Sequence, residues 1–186
     1  MSALVCQKGV ATLVEVRRPA ELVRHGVIAG VVAGITLVAE EMVATVLLGG
    51  NASDPFRLVA SVVFGRQALS REFAISIPLL VGTAAHLLLS VLFGLVFVLL
   101  VAGAYQLSAR VPLLLLYGVL YGLALWEINV LTVLHLLFPQ LAPLMRLDNQ
   151  IWNGIVSYAI FYGLVLGAYI AFARPGVVAE WKRKAR

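Results

Sequence analysis

The sequence predicts an all-α fold: a four-helix transmembrane bundle with a short interfacial helix between helices 1 and 2. Three observations predict it. Hydrophobic residues make up 62% of the chain and charged ones 12%, against about half and about a quarter in ordinary soluble domains. Mean hydropathy is +1.00. Four apolar runs exceed the ~18 residues needed to cross a bilayer core of about 30 Å, at roughly Gly26–Leu48, Ile77–Tyr105, Val111–Phe138 and Ile151–Ala173. The chain therefore divides into a cytoplasmic N-terminal segment (1–25), a membrane domain (26–173) and a basic cytoplasmic tail (174–186). No room is left for a separate soluble domain. Cys6 is the single cysteine, which excludes an internal disulfide and any two-cysteine redox relay.

The N-terminal segment carries Lys8, Arg17, Arg18 and Arg24, the loop between helices 2 and 3 carries Arg110, and the tail carries Arg174, Lys182, Arg183, Lys184 and Arg186. These are ten of the 14 basic residues; Arg57, Arg66, Arg71 and Arg146 fall on the other side. The excess of positive charge on one side places both termini in the cytoplasm. The net charge of +5 is thus topological, and no nucleic-acid partner is expected. The run "GVATLV" is too short for a cleavable signal. In "RRPAELVRHG", Pro19 stands at a helix-start position, which predicts a short helix on the inner surface.

Between helices 1 and 2, "NASDPFRLVASVVFGRQALSRE" has Pro55 after a capping candidate, Asp54. Phe56, Val59, Val62 and Val63 alternate with Arg57, Ser61 and Arg66 at near-helical spacing. That predicts an interfacial helix lying on the outer face with its apolar side inward. In the tail, Pro175 stops helix 4, and Trp181 among basic residues forms an inner-surface anchor.

Small residues recur every four positions in each span: Gly26, Gly30 and Gly34; Gly82, His86, Ser90 and Gly94; Gly118 and Gly122; then Ala159, Gly163, Gly167 and Ala171. Helices in lipid gain little by hiding apolar surface from each other, so close backbone approach over small residues drives association. A tight bundle without a wide pore is expected, with small residues to spare for a partner.

Helix 1 also holds two adjacent carboxylates, Glu40 and Glu41. A charge at that depth costs about 2.5–3.5 kcal/mol on insertion scales. Glu41 follows Gly34 by seven residues and Gly30 by eleven, so at 100° per residue it lies within about 20° of both. It is expected inside the bundle, with Glu40 beside it, toward a neighbour; only one of the two need be charged. Helical rise puts Glu41 about 22 Å from the inner end, and His86, Glu127 and His135 about 13, 16 and 4 Å below the outer end. Glu40, Glu41, His86, Glu127 and His135 form the candidate buried polar network, with Asn129 and Thr132 at compatible depth. The inner half shows mainly tyrosine hydroxyls. His86 is expected to bond Glu41 or a group on helix 3.

No catalytic, cofactor or metal residues are predicted. Di-iron bundles repeat Glu-x-x-His, and the chain contains no such motif. Haem b held by His86 and His135 is an alternative, weakened by a depth difference of about 9 Å between them. A proton-coupled transporter using Glu41 is a second. Against it stand regular glycine ridges, the absence of a visible repeat, and Pro112, Pro139 and Pro143 at span ends.

The series "GVIAGVVAG", "DPFRLVASVVFG", "AHLLLSVLFG", "LLYGVLYGLALW", "FPQLAP" and "FYGLVLG" resembles a group of uncharacterised small four-span bacterial inner-membrane proteins, over roughly residues 26–170. The group's pattern would put a histidine four residues before Gly163, where this chain has Ala159. The resemblance implies a fold and an inner-membrane location, and no activity. The leading expectation is a non-catalytic accessory or assembly subunit of a larger membrane complex, respiratory or otherwise energy-transducing. Its partners would be the bilayer and other membrane subunits, or a second copy.

Overall fold

The computed structural model describes residues 19–103, 111–139 and 148–173. The basic N-terminal residues up to Arg18, the Arg110 loop, Arg146 and the tail with Trp181 lie outside them. Helix α1 spans Pro19–Leu47, α2 Asp54–Phe64 and α3 Ser76–Gly103. A 3-10 turn over Gly65–Leu69 follows α2. The third rod begins as α4 (Val111–Trp126), passes through a π-wound segment (Glu127–Val133) and ends as α5 (Leu134–Leu137). The fourth begins as α6 (Asp148–Val156), continues π-wound through Ser157–Leu164, returns to α-helix in α7 (Val165–Ala168) and ends π-wound at Tyr169–Ala173. No strand occurs among the described residues.

Four stretches are long and apolar enough to cross a membrane: Leu22–Leu47, Ser76–Leu100, Val111–Asn129 and Ile151–Phe172. Their outward faces carry Ile35, Val43, Leu80, Leu88, Leu120 and Phe172, all exposed, as a surface facing hydrocarbon requires. This is an integral membrane protein. The expected surface helix before the first span is instead the first turns of α1, which runs unbroken from Pro19.

The rods associate as two tight pairs. In the first, α1 lies on α3: a Cβ on Gly30 would meet the Ser90 carbonyl and the Val91 Cα, and one on Gly26 the Leu95 Cα. Gly34 abuts the Ser90 side chain, and Gly94 abuts the backbone of Gly26 and Gly30. In the second, α4 lies on the fourth rod: Gly118 and Gly163 face each other's carbonyls, Gly122 meets the Tyr158 carbonyl, and Gly167 meets the Leu114 carbonyl. Backbone cannot move aside for a methyl group, so wherever these seams set glycine against backbone they admit only glycine. Gly82 is used the same way, against the backbone of Phe56 in α2. The ridges are thus filled within the chain, and the expected surplus for a partner is absent from them.

Helix α2 lies against the start of α3 with an unexpected face inward. Phe56, Arg57, Ala60 and Ser61 are buried, while Val62 and Val63 point out. The reason is non-local: Arg57 Nη1 donates to the carbonyls of Ala68 (3.1 Å), Ser70 (2.6 Å) and Phe73 (3.3 Å). These bonds tie the following loop down, and small Ala60 and Ser61 permit close approach. Valines turned outward suit an apolar membrane boundary. Asp54 is the first residue of α2 rather than its cap; Ser53 occupies the cap position. Asp54 accepts from the Asn51 amide at 2.8 Å and pairs with Arg71 at 3.3 Å.

Candidate functional site: a polar cluster at the α2 end

Side-chain hydrogen bonds join the two pairs, where glycine seams do not. Thr36 Oγ1 donates to the Phe161 carbonyl at 2.6 Å. One turn further along both rods, Ser157 Oγ and Glu40 Oε2 lie 2.5 Å apart. At the other end, His25 Nδ1 and the Tyr169 hydroxyl are 3.2 Å apart, both in what sequence alone reads as the plain half. All three rungs connect α1 with the fourth rod. Two tyrosines reach α3: Tyr162 Oη donates to the Ser90 carbonyl at 2.7 Å, and Tyr121 Oη to the Phe93 carbonyl at 2.8 Å.

The π-wound segments begin where polar side chains stand. Asn129 Nδ2 donates to the Leu125 carbonyl at 2.8 Å, and Ser157 Oγ lies 2.7 Å from the Asn153 carbonyl. Each side chain supplies a bond to the residue four back, next to a segment whose backbone register has shifted to five. The glycine ridges that count against transport stay regular, but the backbone winding of the third and fourth rods does not. Such π-bulges occur often at functional sites.

Between the pairs, close to α2, lies a cavity of about 70 Å³ lined by Leu37, Val59, Leu89 and Phe93 and by polar His86, Ser90, Asn129, Tyr158 and Tyr162. It is large enough for ordered water, and its polar lining offers water partners. His86 bonds through Nε2 to the Gly34 carbonyl at 3.0 Å, not to Glu41 or helix 3. A carbonyl only accepts, so Nε2 carries the proton, and in the neutral ring Nδ1 is the acceptor.

The five carboxylate and histidine candidates are not all brought together. Glu40 and His86 lie at this end, each bonded to backbone or side chain across a helix interface. The bond into the fourth rod belongs to Glu40, expected to face a neighbour. Glu41, expected inside, is partly buried and makes no hydrogen bond among the described residues. Glu127 is exposed on the bundle surface. The His135 side chain lies outside the described residues.

Compared with known proteins, the chain matches no family model, no curated sequence and no solved structure. Its chemistry has to be read from its own geometry. Among the described residues no three His, Cys, Asp or Glu side chains converge as metal ligands do. Ser157 is the participant the sequence reading missed; its signal was the four-residue spacing from Asn153, the same i to i+4 relation that relates Asn129 to Leu125.

Proposed function

We propose that this protein is a non-catalytic accessory or assembly subunit of a larger membrane complex. The observation that carries the reading is Glu127. It sits within the span Val111–Asn129 yet is exposed on the bundle surface, where a carboxylate in contact with lipid is costly. A neighbouring membrane subunit that offers a cation or a hydrogen-bond donor would remove that cost. The basic residues support both termini in the cytoplasm, and the resemblance to small four-span proteins supports a bacterial inner membrane. Glu127→Leu tests the assignment. The variant should insert and fold but lose its co-purifying subunits; full retention of those subunits by the variant would sink the reading.

A second reading, proton-coupled transport through Glu41, draws on the cavity, the π-wound segments and the unpartnered Glu41 carboxyl. Proton-driven flux in proteoliposomes that disappears with Glu41→Gln would establish it in place of the first. A haem on His86 is disfavoured by the bond that already engages Nε2.

A further inference from the structure

We infer that the cavity between the helix pairs is a hydration site, whose bound water cluster bridges α3 to the third and fourth rods. Every span contributes to its wall: Leu37 from α1, His86 and Ser90 from α3, Asn129 from the third rod and Tyr158 from the fourth, with Val59 of α2 beside them. Four of these groups have hydrogen-bonding capacity that no protein atom takes up among the described residues. Ser90 is only 3% exposed, yet its hydroxyl has no partner; Tyr162 bonds its carbonyl instead. The Tyr158 hydroxyl has no partner either. His86 uses Nε2 on the Gly34 carbonyl and keeps Nδ1 as an acceptor. Asn129 uses one amide hydrogen on the Leu125 carbonyl and keeps Oδ1 and the other hydrogen. Among the described residues, a buried polar atom with neither a partner nor space beside it occurs once, at Arg57 Nε. The four cavity groups are unpartnered without being sealed, and buried polar groups of that kind are the ones ordered water serves.

The wall suits water better than an ion or an organic guest. It carries no carboxylate, ammonium or guanidinium, so nothing there offsets the charge of a bare ion. Donors and acceptors are mixed, and water is both. The volume of about 70 Å³ accommodates at least about two water molecules at roughly 30 Å³ each. It is about half of the ~150 Å³ that an apolar cavity needs to take up benzene. The polar groups stand on both sides of the junction, so a water bonded to Ser90 or His86 and to Asn129 or Tyr158 ties one pair to the other. Water-mediated bonds of this kind are nearly as favourable in enthalpy as direct ones.

Radiolytic hydroxyl labelling of the full-length protein in lipid nanodiscs, in heavy-oxygen water and read by mass spectrometry, tests this. Radicals formed from bound water oxidise the side chains beside it. Phe93, on the cavity wall, should therefore take up heavy-oxygen label several-fold faster than the exposed, lipid-facing Phe161, with Tyr158 labelled as well. Val59→Phe fills the cavity from α2, outside the spans, and should lower the Phe93 and Tyr158 label several-fold. Folded wild-type protein in which Phe93 is labelled no faster than Phe161 would overturn the inference. Label undiminished in folded Val59→Phe would overturn it too, because the water would then lie elsewhere. Should that variant not fold, the wild-type comparison of the two phenylalanines decides alone.

Discussion

The seams within each helix pair and the junction between the pairs are built from opposite materials. Within a pair, glycine meets backbone: Gly30 on Ser90, Gly118 on Gly163. Between pairs, side chains bridge: Thr36 to Phe161, Glu40 to Ser157, Tyr162 to Ser90. Where backbone meets backbone the first kind has nothing that can rotate, so its geometry is fixed once formed; within a pair only the Gly34 end, against the Ser90 and His86 side chains, departs from this. The second consists of single hydrogen bonds that can exchange partners, take up water or change protonation. Dispersion between close backbones holds the pairs. The cavity and the side-chain bonds of Thr36, Glu40, Tyr121 and Tyr162 gather where the pairs meet. A membrane bundle can thus keep its architecture in one set of contacts and its adjustable chemistry in another.

That contrast breaks most visibly at the seams. Gly118→Leu and Gly30→Leu should each remove about 3 kcal/mol or more of unfolding free energy, the upper end for overpacking, because the obstacle is backbone. Denaturation followed by helical signal in mixed micelles measures it, and a loss below about 1 kcal/mol at both sites would mean the seams are looser than described. The rungs should be weaker. Thr36→Val and Tyr162→Phe each delete one donor and should cost about 0.6–1.5 kcal/mol by the same assay. A rung variant as damaging as a seam variant would erase the distinction. Smallest of all is the Asp54–Arg71 pair, whose arginine side chain is 61% exposed. Asp54→Asn should stay within about 0.5 kcal/mol of wild type, with any effect fading in high salt.

The spans and the seams were legible in the sequence because both are local patterns: long apolar runs, and glycine every four residues. The face of α2 was not. Helical spacing sorted Arg57 with the polar side, but its burial is decided by carbonyls 11 to 16 residues downstream. The π-wound segments were also hidden, since a one-residue register shift leaves the hydrophobic pattern nearly intact. The glutamates show the limit most clearly. Angle arithmetic on a straight helix put Glu41 on the glycine face, yet the bond to a facing rod went to Glu40, because Ser157 on that rod stands opposite it.

The most direct test is the native mass of the tagged chain extracted in mild detergent from its own membranes. The accessory-subunit account predicts a reproducible assembly containing other membrane subunits, well above the 20.0 kDa of the chain. A particle of that mass plus its detergent belt, with no other polypeptide, would contradict it and turn attention to Glu41 as a transport site.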